Sequence, residues 1–273
     1  MKVSIIPLCY GREFMEGTMT QEDWIREAVE LGLDGIELYE PYHTSLDSKG
    51  LKSLADAVHG AGLEVAKYAS GCYAHPERCL CRPKDRERAV AYIQESVDEA
   101  LILGTDIVRV VSGWGGQDYW DLLKADGLEY GDILQSVADG LRASLDYAEE
   151  KKVMLAFEDH FGIGTKIDDF MKILELVDDD RLKVNLDTAN ATNGSAVDLA
   201  KLVADRVVNT HLSDREGHNH QVVVGKGDID FEGVFRELKK VGYDGWLSME
   251  VFVGGKENLQ FSVDYIRNAW NNA

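Results

Sequence analysis

The chain has 273 residues, four prolines, 45% hydrophobic residues and a formal net charge of −20. That length and apolar content suit one large domain spanning residues 1–273 with a sizeable buried core. The excess of 49 acidic over 29 basic side chains, with no basic stripe to offset it, argues against nucleic acid as a partner. No stretch approaches the roughly 18 uncharged apolar residues of a membrane span. The opening MKVSIIPLCYGREFMEG has an apolar run too short for a signal peptide, followed at once by Arg12, Glu13 and Glu16. A cytoplasmic protein acting on a neutral or weakly charged small molecule is the expectation.

Short β-branched runs alternate with amphipathic segments along the whole chain. Strands are predicted at 3–8, 34–39, 63–69, 106–111, 153–159, 182–187, 207–212 and 246–251. Helices are predicted near 20–31, 48–61, 85–103, 130–150, 167–177, 196–204, 231–241 and 256–271. Each strand is a nearly continuous apolar run, as parallel strands buried on both faces require. Glycines recur just before strands, in LGLDGIEL, GAGLEV, LGTDIV and VGYDGWL, the usual stop between a helix and the next strand. Eight βα units without a glycine fingerprint after the first strand predict a closed (β/α)8 TIM barrel rather than a doubly wound sheet.

Such barrels carry their chemistry at the C-terminal ends of the strands. The fifth predicted strand ends in Phe157-Glu158-Asp159-His160, the sixth in Asn185-Leu186-Asp187, the seventh in Asn209-Thr210-His211 and the eighth in Ser248-Met249-Glu250. Three carboxylates and an imidazole converging on one point would repel or strip one another's charge without a cation. One divalent metal ion held by Glu158, Asp187, His211 and Glu250 resolves that conflict, and hard oxygen donors with one imidazole suit Mn²⁺, Mg²⁺, Co²⁺ or Zn²⁺. Taken singly, each residue could equally be a capped or salt-bridged polar group. Four in register point to a site.

Other pocket residues follow from the strand ends. Glu37 and Tyr39 close the second strand, Lys67 the third, and Arg109 and Ser112 the fourth; Arg109 has the alternative of pairing with Glu158 or Glu37 inside the barrel. Trp114 opens the aromatic, glycine-rich loop SGWGGQDYW, which suits stacking on sugar C–H surfaces or anchoring the loop. His160, two residues past Glu158, faces the pocket if the strand stays extended, and there it is a candidate base with a pKa near neutrality or a loop-holding hydrogen-bond partner. His218 and His220 lie in a loop that is a candidate lid. Asp214 is a candidate partner of the metal ligands, and Lys226 a substrate contact or an exposed lysine. Cys72, Cys79 and Cys81 with His75 match no common zinc spacing and read as reduced, partly buried thiols.

The segments AFEDH, VNLDTAN, NTHLSD, GKGDIDF and GYDGWLSMEV resemble the xylose-isomerase-like barrels known as sugar phosphate isomerases/epimerases, whose relatives include ketose 3-epimerases and inosose isomerases and dehydratases. The resemblance covers the whole chain and implies the same four metal ligands, manganese foremost among the possible ions. It also implies proton exchange with substrate by Glu158 and Glu250. A cation beside a carbonyl stabilises the enediolate formed on deprotonation, and carboxylates on opposite sides act as acid and base. Phe252 matches an aromatic placed near substrate, and Arg215 an arginine expected after His211. Where the epimerases carry a substrate-binding histidine three residues past the aspartate, this chain has Asn190. That departure, with His160, opens a lyase or dehydratase reading on a keto sugar, inosose or 3-keto-glycoside beside the isomerase/epimerase reading. No phosphate cradle is evident, and homo-oligomers are common among such barrels, where Trp270 would seat in an interface or simply pack.

Overall fold

Every apolar run forms a strand within two residues of its expected limits: β1 Lys2–Ile6, β2 Gly35–Tyr39, β3 Glu64–Ala69, β4 Ile107–Val110, β5 Met154–Glu158, β6 Lys183–Asp187, β7 Val207–His211 and β8 Trp246–Glu250. The structure is a computed structural model and describes residues 1–71, 75–113, 117–160 and 162–273, for 117–119 the backbone alone. Neighbouring strands are parallel and follow sequence order, with β1 beside β8. The seam between β1 and β2 is bridged where Asp34 N donates to Val3 O over 3.0 Å and Val3 N donates to Asp34 Oδ2 over 2.8 Å. The result is a nearly closed (β/α)8 barrel.

The eight expected helices surround it: α2 Gln21–Glu30, α3 Ser48–Gly60, α4 Arg86–Leu103, α6 Tyr130–Lys151, α7 Ile167–Val177, α8 Ala196–Val203, α9 Phe231–Lys240 and α10 Lys256–Asn272. Two more, α1 Gly11–Glu16 and α5 Gln117–Ala125, lie in the connections after β1 and β4. Side-chain caps fix several starts; Thr20 with Asp23, and Ser195 with Asp198, form reciprocal capping boxes. The apolar faces of the helices pack on the outward side chains of the strands. Phe157 of β5, for example, stacks on Phe170 of α7 with ring centroids 5.0 Å apart.

Inside the barrel the layers change character along the axis. The floor is apolar: Ala66, Ile107, Ala156 and Trp246, with Met154 and Val208 against them. Gly35 is required there, because a Cβ at that position would lie 2.7 Å from the Trp246 indole and 2.5 Å from Glu64 O. Above the floor the inward side chains are polar, and Ser4, Lys67, Asn185, Asn209 and Ser248 are all fully buried. Two register shifts build this layer. Pairing passes from Ile36↔Val65 to Glu37↔Lys67, and from Val184↔Val207 to Asn185↔Asn209, so that Ala66 and Val208 are each extra residues in their strands. Bulges of this kind re-aim side chains beside active sites. Here they set Lys67 opposite Glu37 and His211 opposite Asp187.

Candidate metal centre

Glu158, Asp187 and His211 close β5, β6 and β7. One donor atom from each lies within 4.8 Å of the others, and all three side chains are 0% exposed. Glu158 Oε1 contacts His211 Nδ1 directly. Glu250, the last residue of β8, brings its Oε1 to 3.8 Å from the same nitrogen. The structure therefore brings together the four side chains expected from the strand ends.

Each is held from behind. Glu158 Oε2 accepts from Arg109 Nη1 over 2.8 Å and its Oε1 accepts from Asn185 Nδ2 over 3.0 Å, while Arg109 Nη2 donates to Ser70 O over 2.6 Å. Asp187 Oδ1 caps the turn that follows it, accepting from Ala189 N at 2.7 Å and Asn190 N at 2.8 Å, and Ser213 Oγ donates to the carboxylate at 3.1 Å. His211 Nε2 points away from the cluster, 3.0 Å from Glu37 Oε2 and 2.9 Å from Lys67 Nζ. Lys67 also pairs with Glu37 Oε1 at 3.2 Å and donates to Asn185 Oδ1 at 2.5 Å.

Buried charge is out of balance at this point. Four carboxylates, Glu37, Glu158, Asp187 and Glu250, face the fixed cations Lys67 and Arg109. Burial, reinforced by Asp187 and Glu158 against the pull of His211, pushes Glu250 up to about 8. Burial and Glu158 raise Asp187 to about 6. Burial and Lys67 press His211 toward neutrality, but Glu158, Glu37 and Glu250 outweigh them and push it up to about 10. Burial opposes ionisation of Glu158, yet His211 and Arg109 hold its carboxyl well below the usual range. A site that must protonate its own acids and imidazole to settle its charge is one that a divalent cation satisfies, and the mixed oxygen and nitrogen donors fit such an ion.

The remaining sequence-predicted residues fall into three places. Glu37 and Lys67, expected as pocket walls, are instead fully buried behind His211, because the register shift in β3 turns Lys67 onto Glu37. Arg109 takes its interior alternative and pairs with Glu158. At the mouth, β5 ends at Glu158 and the chain turns at once, with His160 N donating to Glu158 O over 2.9 Å, so His160 is placed by a turn rather than by strand alternation. It is 5% exposed, and burial pushes its pKa down to about 3, not near neutrality, so it stands as a neutral imidazole. His220 and Phe252 meet edge to face, ring centroids 6.3 Å apart. Asn190 is fixed through its backbone N–H to Asp187.

Outside the mouth, Arg215 and His218 line a groove of about 550 Å³ at the start of α8, with Lys201, Asp198 and Asp228. Asp214 does not meet the metal ligands; its carboxylate accepts from Arg215 N, Gly225 N, Gly227 N and Ile229 N at 2.8–3.3 Å and so ties the loop that carries His220. Lys226 lies over the Phe261 ring at 4.8 Å, and Trp270 packs internally on Phe235 at 5.4 Å. Cys79 and Cys81 are buried thiols. Trp114 and Cys72 lie outside the described residues.

Sequence reasoning missed Asn185, Ser213 and Asp159. Asn185 was visible as the inward residue two before Asp187. Asp159 is buried, and its Oδ1 accepts from Asp187 N at 3.0 Å. Burial and Asp187 keep its carboxyl well above the ordinary range. Nothing in the sequence marked it, since alternation turns it away from the site.

The sequence pattern of the xylose isomerase-like TIM barrel family matches residues 25–269, and this chain belongs to that family. An inosose dehydratase from Geobacillus kaustophilus is 24% identical over 281 residues, covering 91% of this chain and 86% of that protein. Among solved structures, a D-psicose 3-epimerase from Clostridium cellulolyticum H10 superimposes with a TM-score of 0.80 at 18% identity, covering 99% of both chains. A probable 3-DHS dehydratase from Bacillus anthracis gives 0.76 at 16% identity, covering 98% of this chain and 99% of that one. The structural likenesses establish the fold. The proteins it resembles thus include an inosose dehydratase in sequence and a ketose 3-epimerase and a dehydratase in fold. No helix among the described residues is long and apolar enough to cross a membrane.

Proposed function

We propose that this protein is a divalent-metal-dependent isomerase or epimerase of a small keto sugar or polyol, working by removal of a proton from the carbon beside a carbonyl. The observation that carries the reading is the convergence of Glu158, Asp187 and His211 donors within 4.8 Å, with Glu250 beside them, where this fold does its chemistry. Those four residues would hold the cation, Mn²⁺ being the ion we favour over Mg²⁺, Co²⁺ and Zn²⁺. When bound, it supplies Lewis-acid stabilisation of the negative charge that develops on a substrate oxygen.

The protein's own part is the proton. Both oxygens of Glu158 are engaged, by Arg109 and Asn185. Among the described residues no side chain hydrogen-bonds the Glu250 carboxylate. A carboxylate held at both oxygens is costly to move or protonate, so Glu250 is the readier proton carrier and Glu158 the more firmly held of the pair. His160, neutral and buried at the same mouth, suits a hydrogen bond to a substrate hydroxyl. We assign His220 and Phe252, which meet edge to face, to the substrate wall, with Asn190 and Arg215 as further contacts.

A single proton carrier returns the proton to a neighbouring carbon on the same face, which is isomerisation, or passes it to a neighbouring hydroxyl that leaves as water; epimerisation delivers a proton to the opposite face and needs a second carrier, the part that Glu158 would take. The second reading, a dehydratase, is favoured by that arrangement and by the inosose dehydratase relative that aligns over 91% of this chain. The test is to incubate the Mn²⁺-loaded protein with a panel of keto sugars and inososes in D₂O and follow them by NMR and mass spectrometry. Deuterium at the carbon beside the carbonyl with the skeleton otherwise intact is the expected result. Loss of water assigns the dehydratase. No exchange with any member, together with no bound metal, would sink both readings.

A further inference from the structure

We propose that Glu37, with Lys67 as its counter-ion, is a positioning residue for His211: it accepts a hydrogen bond from Nε2–H, holding the ring proton there, so that Nδ1 presents its lone pair to the cation site. The inference rests on the metal-centre reading above and concerns residues that touch neither cation nor substrate. An imidazole binds a cation only through a nitrogen that carries no proton, and in the neutral ring the proton then sits on the other nitrogen. In His211 the two nitrogens face opposite ways. Nδ1 faces Glu158 and, at 3.8 Å, Glu250. Nε2 faces the barrel interior, 3.0 Å from Glu37 Oε2 and 2.9 Å from Lys67 Nζ.

These two interior partners make opposite demands on one atom. Lys67 has only donors, so its contact with Nε2 requires a lone pair there and leaves the ring proton on Nδ1, the wrong nitrogen for binding. Glu37 has only acceptors, so its contact requires Nε2–H and frees Nδ1. Both side chains are 0% exposed, so water cannot substitute for either. Lys67 has other partners already in reach, Glu37 Oε1 at 3.2 Å and Asn185 Oδ1 at 2.5 Å. Glu37 Oε2 is the acceptor that the structure places at Nε2. Cation binding therefore commits Nε2–H to Glu37, while Lys67 is retained by Glu37 Oε1 and Asn185. The register shift that sets Glu37 opposite Lys67 is the structural device that builds the pair.

The test uses the full-length protein and Mn²⁺ itself, with free Mn²⁺ followed by electron paramagnetic resonance. Glu37→Gln keeps the shape and removes the charge, and Glu37→Gln/Lys67→Met also removes the cation that the first change would strand. Both variants are expected to bind Mn²⁺ about 10–100-fold more weakly than wild type, the range for losing a partner that orients a ligating histidine. Affinity within twofold of wild type in both would overturn the proposal while leaving the metal centre standing. No Mn²⁺ binding by the wild type would overturn the metal centre and this inference with it. A second measurement needs no variant: ¹⁵N NMR of the Zn²⁺-loaded wild type with labelled histidine should find the His211 proton on Nε2. A proton on Nδ1 contradicts the proposal whatever the variants do.

Discussion

The two halves of the barrel mouth contribute opposite things. Strands β5 to β8 end in Glu158, Asp187, His211 and Glu250, the donors that we propose hold a cation. Strands β2 to β4 contribute Glu37, Lys67 and Arg109, buried charges that brace the first set from behind. The first half faces the mouth, and the second ties the other atoms of Glu158 and His211 from within the barrel. An enzyme of this design needs both, because donors aimed at one point hold their aim only when their other atoms are tied down.

Substitutions separate the halves. Glu250→Gln, in the half that faces substrate, should lower kcat by about 10²–10⁴-fold, the usual worth of a positioned proton carrier. In the cation-free protein stability should hold or rise, since the change removes a buried carboxyl whose ionisation burial disfavours. Steady-state kinetics and a thermal melt check the two readouts together. Arg109→Met, in the bracing half, should do the reverse in kind: it removes the hydrogen-bonded cation at Glu158 Oε2, leaving His211 and Asn185 on the other oxygen, and should cost about 1–3 kcal/mol of unfolding free energy. Denaturant titration of the cation-free protein measures this. The double variant with Glu158→Gln should recover part of the loss, and failure to recover any would detach Arg109 from Glu158.

Two smaller effects sharpen the boundary between site and loop. Asp214→Ala leaves the loop amides of Gly225, Gly227 and Ile229 without their acceptor, a loss of about 1–3 kcal/mol. It should raise KM, because the loop carries Arg215 and His220, while leaving Mn²⁺ affinity unchanged; a fall in affinity would bring Asp214 back toward the metal. His160→Ala should spare Mn²⁺ binding in the same titration and lower turnover, and unchanged turnover would remove His160 from the reaction.

The eight strands were legible because strands buried on both faces are written as short apolar runs with glycine stops. Helix α1 was not, because none of its residues is buried and so no apolar stripe marks it. The ligand half of the site was legible for a similar reason: an ionisable residue at the end of an otherwise apolar strand stands out. The bracing half was named but misplaced. Alternation tells which face a side chain takes, not its depth, and the bulges at Ala66 and Val208 break even the alternation. Lys67 thus looked like a wall of the pocket when it lies beneath it. His160 follows β5 through a turn after Glu158, rather than by the extended strand that alternation assumes.

The most direct test of the central claim is a count of cations. Mn²⁺ titrated calorimetrically into the wild-type protein and into Asp187→Ala, with elemental analysis of both after dialysis, should find one ion per chain in the first and none retained in the second. An ion-free wild type, or an Asp187→Ala variant that binds Mn²⁺ as tightly as wild type, would contradict the metal centre on which the account rests.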